Sequence, residues 1–334
     1  MTAYTLRRFV SLVPVVLGIM TVVFLALKLI PGDPALAMAG QKATPAEVER
    51  IREQLGLTRP LPVQYGLFLD HALTLQLGRS NRTNQPVVTE LLQNFGPTVE
   101  LGVSALAIAL LVSVPIGIVA AVRRYSALDY LTMIAALFGV SMPVFWTGLV
   151  LIYLLSFRAG LFPITGILDS DIALRHITYS YVLDSILTAN GTAFRSSLRH
   201  LILPAFTLST IPIGIIARMT RSAMLDVLRS DYLQTARAKG LSERSVVLQH
   251  AVRNALIPVV TIVSLQLGGL LSGAFLIETV FGRPGVGRYI VTAISARDYP
   301  AIEGTVLVVA VVFVLVNLLV DLLYAYIDPR IHYA

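Results

Sequence analysis

"SDYLQTARAKGLSERSVVLQHAVRNALIP", Ser230 to Pro258, is polar, basic and rich in helix formers, yet it lies between two long apolar runs. Upstream stands "LILPAFTLSTIPIGIIARM", Leu201–Met219, and downstream "VVTIVSLQLGGLLSGAFLI", Val259–Ile277. The whole chain shares that contrast. Of its 334 residues 56% are apolar and only 13% charged, against about 25% charged in soluble domains. Mean hydropathy is +0.77. Soluble helices need a polar face that such a composition cannot supply, so the expected class is an all-α membrane protein. The absence of cysteine excludes disulfide frameworks and thiolate chemistry. The net charge of +7 is read as membrane topology, not as a nucleic-acid footprint.

A helix needs about 20 mostly apolar residues to cross hydrocarbon. Six runs qualify: Phe9–Ile30, Val99–Val122, Tyr130–Phe157, Leu201–Met219, Val259–Ile277 and Glu303–Ile327. Two prolines interrupt the fourth. The first is too long for a signal-peptide core and is read as a retained anchor. With the N-terminus inside, the inner segments hold 12 Lys and Arg, and the outer ones 13 in about twice the length. Long loops count little for orientation, so both termini and the Ser230–Pro258 stretch are expected in the cytoplasm.

In the first outer loop, "ATPAEVERIREQLGL" predicts a short helix. Thr44 and Glu47 form a capping box, Pro45 takes the first position, and Gly56 ends it. The chain is expected to break at Gly96-Pro97 and restart at Thr98, with Glu100 near the positive end of the second span. The third outer segment reads as a turn and a helix over about Gly287 to Ala296. On the fifth span, Gly269 and Gly273 have GxxxG spacing. Ser264, Gln266 and Ser272 on that span are candidate pathway-lining residues, since polar groups in a span usually face the bundle interior. Asp321 and Asn317 share a face of the sixth span, where a structural role is favoured.

The fourth span runs on as "ARMTRSAMLDVLRSDYLQTARAKG", a continuous helix-forming run closed by Gly240. Ser242 is the next N-cap, followed by "ERSVVLQHAVRNALI". The result is helix, tight turn, helix, with Val246, Val247, His250, Ala251 and Asn254 at the spacing of a packed face. A solvated loop needs no such helix formers, so the segment reads as a docking element.

"ARAKGLSERSVVLQHAVRNALIP" resembles the EAA loop of bacterial ABC-importer permeases, in the form of the dipeptide/oligopeptide group. The glutamate of the general pattern is replaced by Gln234, as is usual in that group. "RRFVSLVPVVLGIMTVVFLALKLIPGDPA", "FGVSMPVFWTGLVLIYLLS", "GLFPITG" and "IETVFGRPGVGRYIVTAISARDYPAIEG" extend the resemblance over most of the chain. It implies a six-helix type I ABC-importer permease fold, with an N-terminal span (1–30), an extended extracytoplasmic loop (31–98) and a permease domain (99–328) whose EAA loop covers about 224–258. It also implies a bacterial cytoplasmic-membrane location, contact with membrane lipid, a homologous companion permease, two cytoplasmic ATPase subunits that bind ATP and magnesium, and an extracytoplasmic substrate-binding protein. The chain itself would be non-catalytic and hold no cofactor. By residue match, Ala236, Arg237, Ala238, Lys239, Gly240, Leu241, Ser242, Glu243 and Arg244 would form the coupling helix that meets the ATPase.

Two other classes fit the sequence less well. A self-contained secondary transporter would often show an inverted repeat, and none is visible. An intramembrane enzyme would need a catalytic constellation. The sequence has no HExxH, P-loop or GxSxG pattern, and its five histidines are scattered.

Overall fold

The computed structural model describes residues 2–29, 33–39, 43–54, 56–74 and 76–327. These form helices α1 (Thr2–Leu29), α2 (Pro34–Ala39), α3 (Pro45–Gln54), α4 (Leu61–Leu73), α5 (Val87–Val122), α6 (Ala127–Ser141) and α7 (Val144–Arg158, π-helical from Ile152). There follow α8 (Tyr181–Leu187), α9 (Gly191–Leu228), α10 (Asp231–Ala238), α11, α12 (Val286–Ser295) and α13 (Tyr299–Ile327). Helix α11 starts at Glu243, passes through a π-helical segment at Val246–Ala251 and continues as Val252–Val280. Among the described residues there is one isolated β-bridge, Arg79 to Pro86, and no strand. Helix is the form in which a chain satisfies its own backbone groups in hydrocarbon.

Four helices are long and apolar enough to cross a membrane: α5, α9, Glu243–Leu270 of α11 and Tyr299–Leu318 of α13. A fifth is counted if α6 and α7 make one span, although they bend by 107°. In α1 the apolar helix counted is Pro14–Ala26, which is shorter.

The structure corrects several sequence expectations. The third run is not one helix. Met142 adopts an extended conformation, φ −84° and ψ 134°, because a residue before proline is pushed out of the helical region. Conversely, Gly96-Pro97 does not break α5. Gly96 instead lets backbone approach backbone: a Cβ there would lie 2.5 Å from the Tyr179 carbonyl carbon. Helix α9 extends beyond Leu201–Met219 at both ends and keeps Pro204 and Pro212 in its interior. The polar run after it is not continuous, since α9 ends with a cap at Arg229 and α10 begins after Ser230. Helix α4, in the first loop, was not read from the sequence.

Two compact units are distinguished, residues Met1–Phe95 with Gly285–Leu322, and Gly96–Pro284. In the first, Thr44 and Glu47 form the capping box. Thr44 N donates to Glu47 Oε2 at 2.8 Å, and Glu47 N to Thr44 Oγ1 at 3.4 Å. Helix α3 ends at Gly56 with φ +66°, its C-terminal carbonyls taken by the amides of Gly56 and Leu57. Met20, Val23, Phe24, Phe68, Ala72 and Leu307 make one core, and Val87, Leu91, Tyr289 and Ile302 belong to another. Ser80 Oγ and Arg82 N both bind the buried Asp298 carboxylate.

In the second unit, α6, α7, α8 and α11 all pack on α9. Gly273 faces Leu208, where a Cβ would come to 2.9 Å, whereas Gly269 has open space. Only half of the GxxxG pair is therefore used in close packing.

Replacing Gly96 by Ala forces Tyr179 and Ser180 to shift and should destabilise the chain by about 1–3 kcal/mol, read as a lower Tm in detergent. Gly18→Ala, at a position with nothing within 4 Å, is the matched control and should leave the Tm unchanged or raise it.

Candidate functional site

Helix α10 ends at Gly240 in a Schellman motif. Gly240 N donates to Arg237 O at 2.9 Å and Leu241 N to Ala236 O at 3.4 Å. Gly240 has φ +80° and no atom within 4 Å of a built Cβ. Glycine is therefore required by backbone conformation there, not by crowding. Ser242 restarts the chain as an N-cap, its hydroxyl accepting from Ser245 N at 3.4 Å. Helix, turn and second helix thus lie where the sequence puts them.

Ala236 is half-buried, and all of Arg237, Ala238, Lys239, Gly240, Leu241, Ser242, Glu243 and Arg244 are exposed. Leu241 is an apolar tip flanked by the cationic Arg237, Lys239 and Arg244. Arg237 Nε donates to Glu243 Oε1 at 2.6 Å across the turn. An exposed pair of this kind contributes little stability, but it orders the two flanks of the loop. Beside it lies an open groove of about 590 Å³ lined by Ile118, Val122, Arg123, Glu243, Arg244 and Leu248.

The base of the turn is anchored. Leu233 and Val246 are fully buried with Ala121, Met224, Ala251 and Ala255. Asn254 Nδ2 donates to the Tyr232 hydroxyl at 2.7 Å. The packed face differs from the one expected: His250 and Asn254 are exposed, and Ala255 takes a buried place. The cause is the π-helical segment, whose i→i+5 period brings Val246 and Ala251 to the same side. Just above, Arg221 of α9 holds Asp129 of α6 through two bonds, Nε to Oδ1 at 2.5 Å and Nη2 to Oδ2 at 2.7 Å. Asp129 also accepts from Tyr125 N at 3.0 Å. Such a planar fork fixes the orientation of both helices.

Ser264 is buried and its hydroxyl donates to Val260 O of its own helix at 3.0 Å, whereas Gln266 is half-buried. The side chains of Ser272 and Asp321 lie outside the described residues. Asn317 Nδ2 donates to Phe313 O at 2.9 Å.

Sequence reading missed a buried polar cluster. Glu100 is not a helix-end residue, because α5 begins at Val87. Its carboxylate accepts from Ser180 Oγ at 3.0 Å, Tyr181 N at 2.7 Å and Arg283 Nη2 at 3.1 Å. Arg283 is fully buried, and Thr98 donates to the equally buried Glu278. The Arg283 Nε and Nη1 meet no acceptor among the described residues. The cluster ties α5, the start of α8 and the end of α11 together. Its signal in the sequence was "IETVFGRPG", where Glu278 follows an apolar run directly and Arg283 stands five residues further on. Nearby, burial would raise the Asp184 carboxyl. The Thr178 hydroxyl and amide, Ile177 N and His176 outweigh it and hold the group below the usual carboxylate range.

Residues 113–333 match the model of the binding-protein-dependent transport system inner membrane component family, and residues 1–102 match that of its N-terminal region. The chain belongs to this family. It is 47% identical to the dipeptide transport system permease protein of Alkalihalophilus pseudofirmus, over the full length of both chains. It is 48% identical to the probable D,D-dipeptide transport system permease protein of Escherichia coli K12, over 97% of this chain and 96% of that one. The dipeptide transport system permease protein of the same strain is 42% identical, over 100% and 99%. The permease is therefore a multi-pass membrane protein of a transport family, and its buried charges are read as parts of a transport scaffold.

Two measurements test the polar clusters. Arg283→Met leaves Glu100 buried without its cation and should cost about 3–5 kcal/mol. The double variant with Glu100→Gln should recover much of that loss, as a double-mutant cycle of Tm values would read. Asp184, whose folded pKa is depressed, stabilises the fold above its unfolded value of about 3.9, and this is lost as pH falls through the folded value. Acid should therefore loosen residues 176–184 in wild type, followed by hydrogen exchange, with a smaller pH response in Asp184→Asn.

Proposed function

We propose that this chain is one permease half of an ATP-driven importer for di- or oligopeptides, with dipeptides the favoured substrate on the names of its relatives. The observation that carries the mechanism is the exposed turn Ala236–Arg244 standing on a rigid, buried base. An element with that build suits a socket in a cytoplasmic ATPase. Motion of the socket would pass through Leu233, Val246 and the Arg221–Asp129 fork into α9, α11 and α6, where two arrangements can be biased by nucleotide.

In this reading α1, α5, α6 with α7, α9, α11 and α13 make six crossings, with both termini in the cytoplasm of a bacterium. Six crossings from an inner N-terminus put the Ala236–Arg244 turn on the same side as the ends, in agreement with the density of Arg and Lys there. Residues 1–30, 31–98 and 99–328 serve as anchor, extracytoplasmic loop and permease domain. A homologous companion permease completes the pathway, two ATPase subunits hydrolyse ATP, and a binding protein delivers peptide from outside. Ser264, Gln266 and Ser272 of α11 are offered as pathway-lining residues.

The test is reconstitution in vesicles with companion permease, ATPases and binding protein, measuring uptake of radiolabelled dialanine. Uptake should require ATP. Arg237→Glu places two acids across the turn and Gly240→Pro cannot adopt φ +80°. Each should lower uptake at least about tenfold, equivalent to 1.4 kcal/mol of lost coupling. Arg237→Glu should leave the Tm almost unmoved. ATP-independent uptake, or full ATPase binding by both variants, would sink the assignment.

A further inference from the structure

The open groove of about 590 Å³ beside the exposed turn has apolar walls and a charged end. One wall is the last turn of α5, with Ile118, Val119 and Val122, and the other is Val247 and Leu248 of α11. Arg123, just past α5, and Glu243 and Arg244, at the start of α11, complete the lining. Helix α5 sorts its residues sharply here. Gly117 and Ala121 face the bundle: a Cβ at Gly117 would meet Thr220 at 2.6 Å, and Ala121 is buried with Leu233 and Val246. Val119 and Val122 face away, 40% and 49% exposed, and Leu248 across the groove is 52% exposed. Only 33% of the apolar window of α5 is buried, so this helix leaves most of its apolar surface to its surroundings.

The charges in the groove are unequal. Arg237 engages Glu243 across the turn at 2.6 Å, which neutralises that acid. Among the described residues, neither Arg123 nor Arg244 is in an ion pair. The groove therefore presents two guanidinium groups and a net positive charge above an apolar floor.

Depth selects the ligand. Ile118 lies five positions before Arg123, about 7 Å of helix. A free phosphate would use the arginines and leave these apolar walls bare. A water-soluble protein would have to reach past the arginines into the apolar run of a membrane-crossing helix. A phospholipid suits both halves, with its phosphate at the guanidinium groups and the first methylenes of one acyl chain against the walls. Basic pockets between helices on the cytoplasmic side of a membrane bind acidic headgroups in this way.

We propose that this groove is a binding site for an anionic phospholipid. Its phosphate takes Arg123 and Arg244, and its upper acyl chain lies against Val119, Val122 and Leu248. The lipid joins the end of α5 to the start of α11 and so braces the Ala236–Arg244 turn from the membrane side. The cytoplasmic position rests on the topology proposed above, whereas the binding chemistry rests on the groove alone. Phosphatidylcholine also has a phosphate, but it brings a cation to a site that already holds two.

The test uses the full chain, purified in mild detergent and examined by native mass spectrometry with added phosphatidylglycerol or phosphatidylcholine. It needs no transport, so its failure is distinct from failure of the importer reading. Wild type should retain phosphatidylglycerol at least about fivefold better than phosphatidylcholine. Arg123→Gln should lower phosphatidylglycerol retention about fivefold, the effect of one basic residue at an anionic surface, and leave phosphatidylcholine retention unchanged. Arg123→Lys should keep most of the binding, and Arg195→Gln, an exposed position outside the groove, should change neither lipid. Equal retention of the two lipids by wild type, or unchanged phosphatidylglycerol retention in Arg123→Gln, overturns the proposal. Two further arms separate other occupants. Displacement by glycerophosphoglycerol, the same headgroup without acyl chains, would make this a free-anion site. Loss of the Arg123-dependent lipid on assembly with companion permease and ATPases would make it part of a protein socket. Either result overturns the lipid assignment, and retention through both supports it.

Discussion

Apolar helices in hydrocarbon gain nothing from hiding apolar surface from one another, because lipid is as apolar as they are. Contact must come from close fit and polar bonds. In the Gly96–Pro284 unit this requirement falls on α9. Its buried positions include Ala193, Ser197, Ala205, Ser209, Gly214 and Ala217, small residues that let α6, α7, α8 and α11 approach. Bonds then fix what fit alone would leave sliding. Arg221 and Asp129 lock α9 to α6, while Glu100 and Arg283 lock α5 to the end of α11. Buried pairs of this sort add less stability than their Coulomb attraction suggests, since desolvation opposes them. Their value here is directional, because each admits a single alignment of its two helices.

The exposed turn at Gly240 inherits that alignment. Leu233 and Val246 seat it on Met224 and Ala121, so its position follows α9 and α5 directly. The π-helical segment at Val246–Ala251 rotates the face of α11 between the turn and the span. A regular α-helix with the same sequence would have turned His250 and Asn254 inward and left polar groups buried without partners. The irregular turn is thus the local solution to a sequence in which Val246, Ala251 and Ala255 must share one side.

Much of this was legible in the sequence because its signals are local. Glycine after Lys239, Ser242 before Glu243, and Thr44 three residues ahead of Glu47 each satisfy chain ends within a few residues, and all three features are present. Four of the apolar runs announced long helices because length and hydropathy suffice there, whereas the third hid a bend of 107°. What escaped depends on partners far along the chain. Glu100 meets Ser180 and Arg283, and Asp129 meets Arg221, and no spacing rule links them. Gly96-Pro97 misled for the same reason: its glycine answers to Tyr179, not to its neighbours. Helix α4 escaped because its apolar pattern is interrupted by Gln64, Gly66 and Asp70.

The bend at Met142-Pro143 has a bearing on the order in which the chain folds. Helix α6, of 15 residues, is about 22 Å long, short of the roughly 30 Å hydrocarbon thickness. Helix α7 covers no more. Neither crosses that thickness by itself, although the break between them is bonded locally: Met142 N donates to Phe138 O and Thr147 N to Pro143 O. Both rest on α9, which begins at Gly191 and is therefore synthesised later. Residues 127–158 can therefore reach their packed form only after α9 has been made, so the third apolar run depends on the fourth for its fold.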